Sequence, residues 1–186
     1  MESLILPINI KDNSFYRNHT LGYLNNLYVA EGNTVMKSVN GVVYSHDEET
    51  LLMMPRSRTS YSVPEGVKTL SKYCFDYSNL TSLTLPASLN MIGVYAFHHT
   101  KLTTLIIPAN VLYMESGAIT SNEYLTTIIV NAVIPPKLAS GISGRFCYAN
   151  DNLTAIYVPD ASVEAYKEAE GWKNDSEIIK PISKMP

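Results

Sequence analysis

The chain has 186 residues, of which 46% are hydrophobic and 17% charged, and its 14 basic and 17 acidic residues give a net charge of −3. This composition is typical of one globular domain with enough apolar side chains for a core. The small charge and the lack of clustered lysines and arginines exclude electrostatic capture of nucleic acid, and no apolar stretch is long enough to be a transmembrane segment.

Residues 1–23 are interpreted as an irregular or truncated first coil. Residues 4–7 (LILP) have the form of a short strand ended by proline, which cannot donate to a β-ladder. The segment does not have the form of a signal peptide, because no Lys or Arg precedes the apolar run and Pro7 interrupts it.

Residues 24–60 predict a further coil with an inserted β-hairpin. Apolar runs at 41–44 and 51–55 flank the turn-rich run 46–49 (HDEE), which is the pattern of two antiparallel strands with a solvated tip. The acidic tip lacks the alternating ligands and the glycine of a calcium loop, so we expect no metal there.

Residues 61–158 contain a repeat. Pro64, Pro86 and Pro108 are 22 residues apart, and apolar residues keep the same phase after each proline. A unit of 22 residues cannot close a core alone, so neighbouring units must stack as a solenoid. We therefore expect the strand residues Leu83 and Leu105 to lie side by side in a parallel sheet, with their side chains inward.

The segment after each repeated proline predicts the return path of the coil. Apolar residues follow it at steps of three or four, which favours a short helical or 3₁₀ segment. The repeat is least regular between Asn131, which replaces a proline, and Arg145.

Residues 159–186 predict a C-terminal cap that closes the last coil. Asp160 is the expected N-cap of a helix, and Gly171 is its expected stop. The apolar residues of the helix recur on one side, with Trp172 expected beneath it; the stripe consists of Val163, Tyr166 and Ala169.

The two cysteines are predicted to be free, buried thiols. Cys74 lies six residues before Leu80, and Cys147 lies six residues before Leu153, so both are assigned to one column, three coils apart. At ~4.8 Å per coil they would be separated by ~14 Å, whereas a disulfide requires Cα atoms within ~7 Å.

Motifs of catalysis and of cofactor binding are absent from the sequence. The four histidines lack the spacing of metal ligands, and there is no G-x-S-x-G elbow, Walker loop or dinucleotide fingerprint. We expect no catalytic, cofactor-binding or metal-binding residue.

The outward side chains of the repeated strands form the candidate binding face. It is neutral and rich in small hydroxyls, which can reflect either the strand propensity of threonine or a docking surface. The candidate residues are Tyr28, Ser82, Thr84, Thr104, Ile106, Thr127, Ile129 and Tyr157.

The pattern L-x-x-L-x-L-P-x-x-L-x-x-I-x-x-x-A-F, kept best at residues 80–97, resembles the BspA-like leucine-rich repeats of bacterial surface proteins. Residues 40–45 (NGVVYS) are similar to that family's D-G-V-L-Y-S, and residues 158–172 look like its C-terminal cap. The resemblance covers residues 21–182. It implies a single domain with a right-handed leucine-rich-repeat superhelix, a parallel sheet, an inserted β-hairpin and a C-terminal capping helix.

The resemblance also implies a function. It favours a non-catalytic, monomeric interaction or adhesion module of a bacterial cell-surface or secreted protein, which binds an unknown protein or glycan ligand through the strand face without a cofactor. Two alternatives stay open. One is a carbohydrate-binding module with Tyr28 and Tyr157 as aromatic platforms, and the other is a passive spacer in a longer exported protein.

Overall fold

The computed structural model describes residues 3–10, 23–138 and 145–186, so residues 11–22 of the predicted first coil and 139–144 of the irregular segment lie outside the description. An α-helix, α1 (Val163–Glu168), follows a short 3₁₀ turn (Asp160–Ser162). The strands, in chain order, are β1 (Ser3–Leu6), β2 (Asn26–Val29), β3 (Met36–Val39), β4 (Val42–Ser45), β5 (Thr50–Met53), β6 (Ser60–Ser62), β7 (Thr69–Leu70), β8 (Ser82–Thr84), β9 (Met91–Ile92), β10 (Phe97–His98), β11 (Thr104–Ile107), β12 (Tyr113–Met114), β13 (Ile119–Thr120), β14 (Thr127–Val130), β15 (Lys137–Leu138), β16 (Cys147–Tyr148), β17 (Ala155–Val158) and β18 (Ile179–Pro181).

The coils stack into a solenoid with three walls. The front wall contains the strands of the repeated L-x-x-L-x-L segments and the two end strands β1 and β18, and all its pairs are parallel: β1 with β2, β6 with β8, and β11, β14, β17 and β18 in that order. Leu105 pairs with Ile128, which pairs with Ile156, so the predicted side-by-side stacking is confirmed for these coils. The expected pairing of Leu83 with Leu105 is wrong, because Leu83 pairs with Tyr61 on its other side and no ladder joins the described strands β8 and β11. Residues 4–6 also form a coil strand, since Leu4 pairs with Leu27.

The second wall is a seven-stranded sheet in the order β15-β12-β9-β7-β5-β4-β3. Its β3, β4 and β5 are antiparallel, so the predicted hairpin is confirmed, and the structure adds a third strand that the sequence did not suggest. Asn40 and Gly41, with φ of 50° and 76°, make the tight turn between β3 and β4. Because β5 pairs in parallel with β7, the insertion continues the wall of the repeats.

The third wall consists of β10, β13 and β16, each only two residues long. A residue in the left-handed region follows each strand: His99, Ser121 and Ala149 have φ between 51° and 57°. The predicted helical return path is therefore wrong, because turns and two-residue strands take its place in the described repeats. The prediction failed because a two-residue strand with one inward side chain, followed by a turn, also spaces apolar residues three or four positions apart.

The core is a set of side-chain columns that run through the coils. Phe75, Phe97 and Ile119 are fully buried in one of them, and the rings of Phe75 and Phe97 stack with centroids 5.4 Å apart. Cys147 pairs with Ile119 and so belongs to this phenylalanine column, not to the column of Cys74. The assignment failed because the bends before Leu125 and Leu153 contain one residue more than the earlier bends.

Both cysteines are free and buried, as predicted. Burial raises the pKa of the Cys74 thiol well above its usual range, and burial followed by the nearby Asp175 carboxylate does the same for Cys147. The reactive thiolate is therefore suppressed in the folded protein.

We expect the native chain to release less than a tenth of an equivalent of thionitrobenzoate from Ellman's reagent at pH 8 within minutes, and about two equivalents in denaturant, because reaction requires local or global opening. The absorbance at 412 nm measures both amounts. Rapid reaction of a full equivalent in the native state would contradict the burial of that thiol.

The C-terminal segment closes the last coil largely as predicted. The Trp172 indole packs on Phe146, with ring centroids 4.1 Å apart, and its Nε1–H donates to the Pro136 carbonyl at 3.0 Å. The buried Tyr166 hydroxyl donates to the Ala132 carbonyl at 2.7 Å. These contacts join α1 and the segment that follows it to the residues after β14.

Two details of the cap differ from the expectation. Asp160 is not the N-cap of α1, because the intervening 3₁₀ turn moves the start of the helix to Val163, and its carboxylate accepts from the Ser183 N–H at 3.0 Å instead. The helix ends at Glu168, so Gly171, with φ of 80°, lies in the turn beyond it and is not the stop.

Candidate binding site on the front wall

The structure places the eight predicted binding residues on the front wall, with very different exposure. Ser82, Thr84 and Thr104 are exposed, Ile106 is 49% exposed, and Thr127 and Ile129 are half-buried. Tyr28 is exposed, but it lies in the separate two-stranded sheet of β1 and β2, where its neighbour is Ile5. The wall therefore brings together the residues from Ser82 to Ile129 and leaves Tyr28 apart.

Tyr157 does not form the exposed platform that the sequence suggested, because it is only 7% exposed. The strand β17 is not at the edge of the wall. Ile129 of β14 lies on one side of Tyr157, and Lys180 of β18 lies on the other. The sequence analysis assigned residues 179–181 to the cap and did not identify them as a strand, so the neighbour that covers Tyr157 was missed.

Among the described residues the front-wall ladder is interrupted twice, between β2 and β6, where the insertion intervenes, and between β8 and β11, where two regular repeats meet. Hydrogen bonds join the coils before this junction, from the Thr81 N–H to the Thr59 carbonyl, and after it, from the Thr126 N–H to the Thr103 carbonyl. The equivalent bond from Thr103 to Thr81 does not form, and no ladder joins these two described strands. The second and third walls remain paired across the same junction, through β9 with β12 and β10 with β13.

The threonine hydroxyls show the same interruption. The Thr81 Oγ1 donates to the Thr59 carbonyl and the Thr126 Oγ1 to the Thr103 carbonyl, both at 3.1 Å. No such bond from Thr103 is seen among the described residues. Because the same residue type stands at the start of each of these strands, no local sequence signal distinguishes the open junction from the closed ones.

The register of the neighbouring ladders shows which backbone groups face the opening. The Val63 N–H donates to the Thr84 carbonyl, so the backbone N–H and C=O groups of the even-numbered residues of β8 point towards β6. Because these groups alternate along a strand, those of Leu83 and Leu85 point to the opposite side, towards β11. The Ile107 carbonyl accepts from the next coil, so by the same alternation Ile106 faces β8. The two edges of the opening, which we call its lips, are formed by β8 and β11. Both lips thus carry backbone N–H and C=O groups that have no partner in a ladder.

The opening is a cleft with a volume of about 320 Å³. Leu83 and Leu85, which the sequence assigned to the core, are only half-buried, because the separation of β8 and β11 uncovers them. No charged side chain lines this cleft in the described structure. Its lining is Leu83, Thr84, Leu85, Ala87, Ile106, Pro108, Ala109, Asn110 and Asn131.

A comparison with known families identifies the repeat. The family model described as "BspA type Leucine rich repeat region (6 copies)" matches residues 54–169. The chain belongs to this BspA-type family. The match includes both lips of the cleft, so the open junction lies between two BspA-type repeats.

Solved structures support the same BspA-type fold. A leucine-rich repeat protein from Eubacterium ventriosum aligns with a TM-score of 0.68 and 23% identity over 89% of this chain and 46% of its own. The pneumococcal vaccine antigen PcpA aligns with a TM-score of 0.57 and 24% identity over 85% of this chain and 45% of its own. The chain thus spans less than half of these proteins, and no curated protein matches it.

A buried ion pair lies behind the third wall of the BspA-type solenoid. The Arg56 guanidinium and the Asp76 carboxylate, 2% and 5% exposed, are 3.3 Å apart, and His98 Nδ1 lies 2.7 Å from the other Asp76 oxygen. The Arg56 Nε–H also donates to the Asp76 carbonyl at 2.8 Å. The sequence analysis missed this cluster, because Arg56 and Asp76 stand at polar positions of the repeat and nothing in the local sequence indicates that they are buried.

Neither a metal centre nor a membrane helix appears in the parts of the chain that the structure describes. Residues 3–10, 23–138 and 145–186 contain no group of three or more His, Cys, Asp or Glu side chains that could hold a metal ion. The same ranges contain no helix with the length and apolarity needed to cross a bilayer.

Proposed function

We propose that the chain is a non-catalytic interaction module of a bacterial surface protein, and that it binds a protein partner through the front wall. The observation that carries the proposal is the open junction of that wall, where an uncharged cleft adjoins the exposed Thr84, Thr104 and Ile106. Solenoids generally use such extended faces for binding.

The location outside the cell is part of the proposal. One matched structure is a pneumococcal vaccine antigen, and an antigen accessible to antibodies lies on the cell surface or is released from it. Adhesion is the use of such a module that the family resemblance suggests.

The carbohydrate alternative has lost part of its basis. It required aromatic platforms at Tyr28 and Tyr157, but Tyr157 is covered by the neighbouring strands. The passive-spacer alternative gives no reason for an open ladder in one wall, because a spacer is best served by continuous pairing.

Acidic substitution of the front wall is expected to abolish partner binding. The double variant Thr104→Glu/Thr127→Glu places two charges on a neutral face, which any docked partner would have to desolvate. We expect at least about a tenfold loss of affinity, measured with the labelled chain on a protein array and a glycan array.

The matched control is Leu112→Glu/Tyr113→Glu on the second wall, where both side chains are about half exposed, at 56% and 48%. It should leave binding unchanged, and circular dichroism should show that both variants fold. Specific signals on the glycan array alone would support the carbohydrate alternative. No signal on either array would support the spacer and contradict the proposal.

A further inference from the structure

We propose that the cleft between β8 and β11 binds an extended, uncharged peptide segment of the partner by main-chain hydrogen bonds. This inference rests on the proposed function and names the chemistry that the front wall recognises. The partner segment would take the place of the missing ladder, as in the addition of a strand to an exposed sheet edge.

The first argument is the set of backbone groups at the two lips. Leu83 and Leu85 on one lip, and Thr104 and Ile106 on the other, direct ladder donors and acceptors at the opening. Backbone groups away from bulk water require partners, and an extended peptide offers them at the same spacing along the strand. A sugar or a helix presents no such alternating row.

The second argument is the chemistry of the cleft. The half-buried side chains of Leu83 and Leu85 and the exposed Ile106 supply apolar surface, whereas Asn110 and Asn131 supply polar but neutral groups. A charged side chain would find no counter-charge in this lining, so its desolvation would oppose binding. The lining therefore selects segments with apolar or small polar residues.

The third argument is that the opening is held in place by the rest of the solenoid. The second and third walls are hydrogen-bonded across the junction, through Met91 with Tyr113 and Phe97 with Ile119. In addition, the Asn110 side chain donates to the Ala87 carbonyl at 2.8 Å beside the cleft. A pre-organised site loses less conformational entropy on binding than a free edge.

Hydrogen exchange of the free chain tests the open ladder directly. We expect the amides of Leu83, Leu85 and Ile106 to exchange at least about 100-fold faster than those of Leu105 and Ile107, which lie in the ladder with β14. Equal protection of all five amides, measured by NMR, would show a closed ladder in solution and would overturn the inference.

The ligand chemistry is tested with a phage-displayed library of random 12-residue peptides. Peptides are selected on the wild-type chain, and those that also bind the Ile106→Lys variant are removed. The remaining peptides should be uncharged at their centre and should bind the wild type at least about tenfold more tightly than the variant. N-methylation of alternate amides along one edge of a selected peptide should remove binding, and the Leu83 and Leu85 amides should become protected in the complex. Tyr113→Lys on the second wall is the matched control and should bind as the wild type does.

The outcomes separate this inference from the proposed function. Peptides that bind equally well after N-methylation on either edge, or whose binding depends on Ile129→Lys but not on Ile106→Lys, would overturn strand addition while leaving a binding face. Failure to select any peptide sensitive to Ile106→Lys would also overturn the inference. Loss of array binding in the Thr104→Glu/Thr127→Glu variant would still stand as support for the module itself.

Discussion

Replacing Asn122 with leucine should lower the free energy of unfolding by about 3–5 kcal/mol, since it leaves several buried groups without partners. The Asn122 side chain is fully buried. Its Nδ2 donates to the Phe97 carbonyl at 2.8 Å and to the Thr120 carbonyl at 3.1 Å, and its Oδ1 accepts from the Thr100 N–H and hydroxyl, both at 2.8 Å. Leucine has a similar size but replaces none of these bonds.

The measurement is equilibrium unfolding in urea, followed by circular dichroism and by the fluorescence of Trp172, the only tryptophan of the chain. Asn152→Leu is the control. That side chain is exposed and also donates one bond to a backbone carbonyl, that of Glu123 at 2.7 Å, so its loss should cost less than about 1 kcal/mol. Equal effects of the two substitutions would contradict the importance of the buried amide.

The second large effect is expected at Phe97. Truncation to alanine removes a fully buried ring from the phenylalanine column and leaves a cavity beside Phe75, so the free energy of unfolding should fall by about 3–5 kcal/mol. The same urea titration measures it. Two-state behaviour is checked by coincidence of the two spectroscopic signals.

Ile106→Ala is the control for this truncation. The Ile106 side chain lies in the coil next to that of Phe97 and is 49% exposed. Its truncation should therefore lower the free energy of unfolding by less than about 1 kcal/mol. A loss under about 1 kcal/mol for Phe97→Ala would mean that the column is not part of the core. The stacking register of the coils would then have to be wrong on the third wall.

The repeat made the stacking of coils predictable, because the spacing of Pro64, Pro86 and Pro108 reports a constant number of residues per coil. The cap was recognisable for a related reason. Trp172 follows a one-sided apolar stripe, and a large apolar side chain at the end of a solenoid has only the last coil to pack on.

The remaining errors come from information that the sequence does not carry locally. An apolar step of three or four arises equally from a helix and from two-residue strands joined by turns, so the return path was misassigned. One additional residue before Leu125 and Leu153 moved Cys147 to the neighbouring column. Tyr157 is covered by β18, which lies one coil further along the chain, and the sequence of β18 (IKP) lacks the pattern of the other front-wall strands.

The candidate site was predictable only in outline. Alternation along the strands identified the outward residues, including Thr84, Thr104 and Ile106. The open junction could not be predicted, because Thr81 and Thr103 are the same residue in the same motif and yet only Thr81 bonds the preceding coil. Whether two adjacent strands pair depends on the packing of whole coils, which a single motif does not encode.

The interruption of one wall also has a mechanical consequence. At this junction the coils are connected by two hydrogen-bonded ladders, on the second and third walls, whereas the front ladder is complete between β11 and β14. Bending of the solenoid axis should therefore be easier at this junction than between β11 and β14, with the two intact ladders as the hinge line. Tension along the solenoid would widen this cleft more readily than the paired junction between β11 and β14.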